Sequence, residues 1–191
     1  MFLAGSLVVV LIAAAPTLGL VVPFPRSGEG FSELWLLGPN HMAEDYPFEI
    51  GVDEEYRVFV GVGNHMGCSE YYTVCVKFRN QTEPLPDVSN SEPSPLPSVY
   101  EFRFLVVDGE AWESLFTFKL LDVSVQGDSA SVSSIAMNGV ACSVDSVSMW
   151  DAENAGFYYQ LFFELWLYNM TSQRFHYHNR FVGIWLKLSA S

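Results

Sequence analysis

The chain has 191 residues, is 50% hydrophobic and 15% aromatic, and carries a net charge of −13 from nine basic and 22 acidic residues. That apolar content excludes a disordered chain, and the charge argues against a partner made of nucleic acid or anionic lipid headgroups. The acidic excess reads as a solvated exterior. A cation-binding surface is the sharper alternative, but the acids are scattered and form no loop with calcium-ligand spacing.

Phe2–Val22 is an unbroken apolar run without a charged residue. As a helix it reaches roughly 30 Å, the thickness of a bilayer's hydrocarbon core. No Lys or Arg precedes Arg26, and Pro16 follows Ala13-Ala14-Ala15, which makes a poor cleavage site. Residues 1–25 therefore read first as an uncleaved transmembrane anchor. A cleaved signal is the second reading and a buried soluble helix the last. Missing basic residues also fit an earlier, charge-bearing part ahead of this sequence. Arg26 after the span votes for a cytoplasmic domain. Two glycosylation sequons, at Asn80 (Asn80-Gln81-Thr82) and Asn169 (Asn169-Met170-Thr171), make sense only outside and decide the orientation. The expectation is a single-pass protein of the cell membrane, touching lipid through its N-terminal helix, with residues 26–191 as an extracytoplasmic domain.

Beyond Pro23, Pro25 and the hinge at Gly28 and Gly30, the pattern changes to period two. Tyr56, Val58, Val60 and Val62 alternate with more polar neighbours, and so do Tyr72–Phe78 and Tyr100–Val106. Such alternation marks strands with one face on a core. Asp108-Gly109 signals a hairpin into Trp112–Leu120, and Asn138-Gly139 another between Val132–Met137 and Val140–Val144. Phe157–Tyr168 is apolar on both faces, which predicts a central, doubly covered strand; a helix is its rival. Phe175–Leu188 reads as a last long strand. About nine strands with frequent turns predict an all-β sandwich.

Residues 80–98 interrupt the alternation with five prolines and several serines. They read as one long surface loop or as a link between two small β lobes, and the few strands before them favour the loop. Ser124–Ser148 is rich in Ser and Gly, so its strands should be exposed or at an edge. Cys68, Cys75 and Cys142 are an odd count. They allow one disulfide at most, and inert buried thiols are an equal reading.

Candidate chemistry is sparse. His176 and His178 face one way on the last strand, a spacing that can ligate metal, but no acidic or thiol partner completes a set. His41 and His65 follow Asn in turns, where turn geometry accounts for them. Glu44-Asp45 and Asp53-Glu54-Glu55 point apart and read as solvated. Glu164, among aromatics, needs a partner, and Arg180 on the next strand is the candidate. Five tryptophans, Trp35, Trp112, Trp150, Trp166 and Trp185, read mostly as core, with Trp150 the best exposed candidate. No hydrolase, phosphate-loop, dinucleotide or zincin motif occurs. The expectation is no enzyme, no catalytic residue, no cofactor-binding residue, no cofactor and no metal site.

Three stretches carry a family resemblance: Phe31-Ser32-Glu33-Leu34-Trp35-Leu36-Leu37-Gly38-Pro39, Gly61–Gly67, and Val76–Pro84. The run Gly156–Leu188, notably Tyr158–Trp166, adds a fourth. Together they resemble the archaeal membrane proteins grouped as "domain of unknown function 1616". The resemblance implies membrane helices ahead of an outward immunoglobulin-like β domain, with several helices where this chain has one. It implies no catalytic residue. The functional expectation is a membrane-anchored cell-surface β-sandwich with a structural or adhesion role. A sugar- or polymer-binding module of the envelope is the alternative. Its partner would be a cell-surface polymer or protein and not nucleic acid. An exposed aromatic row on one sheet would favour polymer binding; aromatics scattered singly would favour the structural role.

Overall fold

The computed structural model describes residues 29–188. The apolar run Phe2–Val22 lies outside them, and among the described residues no helix is long and apolar enough to cross a membrane. The described chain is all-β. Its strands are β1 (Phe31–Leu37), β2 (Glu49–Ile50), β3 (Tyr56–His65), β4 (Glu70–Asn80) and β5 (Tyr100–Val106). They continue with β6 (Ala111–Gln126), β7 (Ser129–Met137), β8 (Val140–Asp151), β9 (Gly156–Asn169) and β10 (Arg174–Leu188).

Hydrogen bonding runs in the order β1-β3-β6-β7-β8-β9-β10-β2, with β4 joined to β9 and β5 to β4. The sheet curls at β8. Most of β8 pairs with β7, but its last residues, Trp150 and Asp151, pair with Phe157 and Gly156 of β9. The flank β1-β3-β6-β7 thereby faces the flank β5-β4-β9-β10-β2. The alternating apolar residues read from the sequence fill the space between. Val58, Val60 and Val62 from β3 meet Val74, Val76, Leu161, Phe163 and Leu165 from β4 and β9 in one core. Phe116 of β6 meets Phe163 of β9 edge to face at 5.2 Å, and Tyr159 donates its hydroxyl across the core to the Ala130 carbonyl at 2.7 Å.

Phe157–Tyr168 is the central strand that its two apolar faces predict. β9 lies between β4 and β10, and every residue from Gly156 to Leu165 is buried except the half-buried Tyr158. The Asn138-Gly139 hairpin also forms, with both residues at positive φ (47° and 76°), as a tight two-residue turn requires.

One local expectation fails and another holds only in part. Asp108-Gly109 closes no hairpin, because β5 pairs with β4 while β6 pairs with β3. The turn instead carries the chain from one flank to the other, held by the Gly109 amide on the Asn64 carbonyl at 2.7 Å. The Ser-rich stretch is exposed or at an edge only in part: β8 from Val140 to Met149 pairs with β7 alone and is largely exposed, as expected, but β7 is interior, with Ala130, Val132, Ile135 and Met137 buried. Small side chains weaken the apolar signal of a strand without stopping it from being sandwiched.

Candidate functional site

The outer face of the β4-β9-β10 flank differs from the core face in kind. Cross-strand register assigns its members. Gln160 lies between Arg79 of β4 and Trp185 of β10. Glu164 lies between Cys75 and Phe181, and Trp166 between Thr73 and Tyr177. Directly opposed residues share a face. β10 therefore presents Phe175, Tyr177, Phe181 and Trp185 outward along one strand. A bulge at His178 and Asn179, where Asn179 takes φ 52°, keeps both halves of this row on the same side.

The Pro/Ser-rich loop folds onto part of this face. The Ser94 amide donates to Glu164 Oε1 at 2.8 Å, and the Lys77 ammonium donates to the Ser94 carbonyl at 2.6 Å. Lys77 and Glu164 form a buried ion pair at 2.9 Å, and the Trp166 indole donates to the same carboxylate at 3.1 Å. Lys77, not Arg180, is thus the partner of Glu164. Arg180 pairs in register with Leu165 and turns to the strand edge, where its Nε donates to the Ser32 carbonyl at 3.3 Å.

Two concavities flank the aromatic row. The larger, of about 620 Å³, opens where β1 and β10 approach each other. It exists because both strands are edges here: β1 pairs only with β3, and β10 meets β2 only at Lys187 and Leu188. Trp35, Tyr46, Phe48 and Trp185 line it together with Leu34, Val182, Gly183 and Ile184. Trp35 lies flat on the strand beneath it, since a side chain at Gly61 would collide with the indole, and its Nε1 donates to Glu113 at 3.2 Å. Trp185 is 41% exposed, with the Arg79 guanidinium 5.5 Å from its ring centroid. The second concavity, of about 430 Å³, lies beside the loop and is lined by Thr73, Cys75, Ser94, Arg103, Trp166 and Phe175 among others. There Arg103 pairs with Glu101 at 2.8 Å and sits over the Phe175 ring.

These placements revise the tryptophan reading. Trp150 is half-buried, with its ring against Phe157 at 5.1 Å. Trp185 is the exposed one, and it shares a cleft with Trp35. No periodic signal in the sequence could have joined them, because 150 positions separate them and β1 has no clean alternation.

The histidines go to separate tasks. His176 hydrogen-bonds Ser172 at 2.7 Å at the turn, while His178 bonds Ser32 of β1 at 3.0 Å across the seam. Burial, with Arg180 adding to it, pushes the His178 pKa below its ordinary value. His41 packs edge-on against Phe59 at 3.6 Å, and His65 stacks on Phe31 at 4.7 Å. Among the described residues no three His, Cys, Asp or Glu side chains gather that could hold a metal ion. All three cysteines are free thiols. The acidic pairs at 44–45 and 53–55 are exposed. Asn169 is exposed at the β9–β10 turn, its side-chain oxygen accepting from the Thr171 and Ser172 amides. Asn80 is half-buried, and its side-chain amide donates to the Val147 carbonyl at 2.8 Å.

The geometry defines an all-β domain with a curled sheet, an aromatic outer face and a cleft at the seam of its two edge strands. The chain belongs to the family called domain of unknown function (DUF1616), whose model matches residues 25–128. No curated protein matches it. Among solved structures, that of Spo0M, a sporulation control protein from Bacillus subtilis, aligns at 12% identity over 84% of this chain and 91% of that one. The TM-score of 0.27 is too low for that alignment to bear on fold or function.

Proposed function

We propose that this chain is a membrane-anchored, cell-surface β-sandwich of immunoglobulin-like form, with an adhesive role exercised by binding a sugar polymer along the outward row of β10. The carrying observation is the placement of Phe175, Tyr177, Phe181 and Trp185 on one strand, with a concavity at each end. Pyranose rings present flat C–H faces that stack on indoles and phenyl rings, while their hydroxyls need polar groups at the rim. Arg103 and Glu101 supply such a rim beside Trp166 and Phe175. Of this row Trp185 is exposed, and Phe175, Tyr177 and Phe181 are half-buried on the outward face. The net charge of −13 disfavours polyanions and points to an uncharged polymer. The apolar run Phe2–Val22 supports the anchor, and the sequons at Asn80 and Asn169 support an outward domain.

Detergent-solubilised full-length protein titrated with cellotetraose and mannotetraose tests the binding. Saturable change in tryptophan fluorescence with at least one of them, lost in Trp185→Ala and Trp166→Ala, is the expected result. No saturable response to either removes the polymer reading. Full-length chain should also stay in the membrane pellet after an alkaline wash. Chain still beginning at Met1 in the supernatant would remove the anchor.

A further inference from the structure

β1 and β10 lie side by side without a backbone ladder between them. They touch at one end, where His178 bonds the Ser32 hydroxyl at 3.0 Å and the Arg180 Nε donates to the Ser32 carbonyl at 3.3 Å. Beyond that contact, Leu34–Leu36 and Val182–Trp185 line the cleft of about 620 Å³ together, so the two strands run in the same direction along it. Hydrogen bonds around the cleft assign the backbone groups that face it. The N–H and C=O of one strand residue point to one side, and those of the next residue to the other. The Ser32 carbonyl accepts from Arg180 and the Leu36 carbonyl from the Tyr46 hydroxyl at 2.7 Å, so Ser32, Leu34 and Leu36 point away from β3. On β10 the Lys187 amide donates to the Phe48 carbonyl at 2.6 Å, which sets Gly183, Trp185 and Lys187 away from β9. β2 occupies that edge at Lys187 and Leu188 alone; Tyr46 and Pro47 before it line the cleft instead. Leu34, Gly183 and Trp185 therefore turn backbone donors and acceptors into the cleft, and no strand among the described residues pairs with them there.

We propose that this cleft is a peptide slot: an extended segment of a partner protein, apolar at alternate residues and flanked by Lys or Arg, adds as a strand to the free edge of β10, with β1 along its other side. An open strand edge is a template for another strand, and β2 shows this edge accepting one. An extended residue in a sheet fills about 160 Å³, from a rise of ~3.3 Å, a strand spacing of ~4.8 Å and a depth of ~10 Å. The cleft thus has room for about four. Leu34, Leu36, Val182 and Ile184 pack on the core and offer an apolar floor to every second side chain. Charge around the mouth is acidic. Asp45 and Glu49, beside the lining Tyr46 and Phe48, are exposed, and Glu113 accepts from the Trp35 indole. The basic groups nearby are engaged: Lys187 pairs with Glu49 at 3.8 Å, and Arg79 donates to the Asn80 and Gln81 carbonyls. Basic flanks on the peptide complement that rim. The proposal goes beyond the polymer reading. The polymer stacks on the outward face of β10, whereas the peptide takes its backbone edge, and either can fail without the other.

The probe is a capped peptide of alternating valine and threonine with a lysine at each end, titrated into detergent-solubilised full-length protein and followed by amide NMR and hydrogen exchange. Saturable shifts are expected at Leu34, Gly183 and Trp185. Exchange of those three amides should slow by about tenfold or more, while Trp35 and Ile184, whose amides already serve the sheet, stay as they were. The same peptide with alternate backbone nitrogens methylated keeps its side chains and loses its ladder donors, so it should not bind. A peptide with glutamate in place of both lysines should bind several-fold more weakly, and the difference should shrink in high salt. Absence of saturable binding overturns the proposal. Binding without selective slowing at Gly183 and Trp185, or equal binding of the methylated peptide, overturns strand addition. Equal binding of the glutamate peptide at low salt overturns the basic partner. None of these results touches the tetraose titration, which decides the polymer reading by itself.

Discussion

The two faces of β9 are buried almost equally and by different means. Inward, Tyr159, Leu161, Phe163 and Leu165 join one apolar core. Outward, Gln160, Phe162 and Glu164 are also buried, yet an ion pair, a docked loop and an unpartnered amide surround them. The inner face follows from hydrophobicity alone. The outer face follows from specific pairings, and it continues into half-buried aromatics, the exposed Trp185 and a cleft. Burial by itself therefore does not separate framework from site; the chemistry of what covers each residue does.

The largest expected effect is on the inner face. Phe163→Ala removes a fully buried ring and should cost ~3–5 kcal/mol in urea melts, a large share of a domain's usual ~5–15 kcal/mol. An unchanged midpoint would mean that the two flanks do not meet there.

On the outer face, Glu164→Leu leaves the Lys77 ammonium buried without its carboxylate and should cost about as much, ~3–5 kcal/mol. Replacing both, Lys77→Met with Glu164→Leu, should recover most of that loss. If the single and the double variant melt alike, the ion pair does not hold the outer face together. Limited proteolysis sharpens the point, since Ser94 ties residues 80–98 to this pair and Glu164→Leu should make the loop easier to cut.

The seam between β1 and β10 is the next smaller test. His178 bonds Ser32 there, and its folded pKa is depressed by burial and by Arg180. Near neutral pH both folded and unfolded states hold the imidazole neutral, so it adds no pH dependence. Below its ordinary value of about 6.5 the unfolded chain takes the proton first, and stability falls until the folded pKa is passed. Wild-type midpoints should therefore decline more between about pH 7 and pH 5 than those of His178→Gln. Parallel curves would show that His178 is not part of a closed seam.

Trp185→Ala, on the exposed row, should cost under ~1 kcal/mol, against the several expected at Phe163. A melt as damaged as that of Phe163→Ala would make Trp185 framework and remove the contrast between the faces. Smallest in energy is the difference between the sequons. Asn169 is exposed, whereas Asn80 spends its amide on Val147. Glycopeptide mapping of native protein should find Asn169 the more occupied, and the reverse order would show that the Asn80 turn opens in the cell.

Much of the fold was legible in the residues. Period-two alternation located β3, β4 and β5, turn signals pointed to β6, β7 and β8, and the doubly apolar run from Phe157 gave β9 its central, covered place. β1 left no alternating trace, because Leu34 and Leu36 face the core while Trp35 and Leu37 lie over the outer face of β3. The site was far less legible. Glu164 was recognisable as a carboxylate in need of a partner, since that follows from burial among aromatics. Its partner was not, because sequence neighbours cannot show that β4 lies on one side of β9 and β10 on the other.

By itself the sequence determined an all-β chain, the face that β3, β4 and β5 turn inward, and family membership. These depend on side-chain period and on local phrases. Tertiary structure alone decided that Asp108-Gly109 crosses between flanks, that Lys77 answers Glu164, that Trp35 meets Trp185, and that Gln160 is left with an unused acceptor. Each of those depends on which strands become neighbours, and strand pairing joins residues far apart in the chain through backbone groups that every sequence shares.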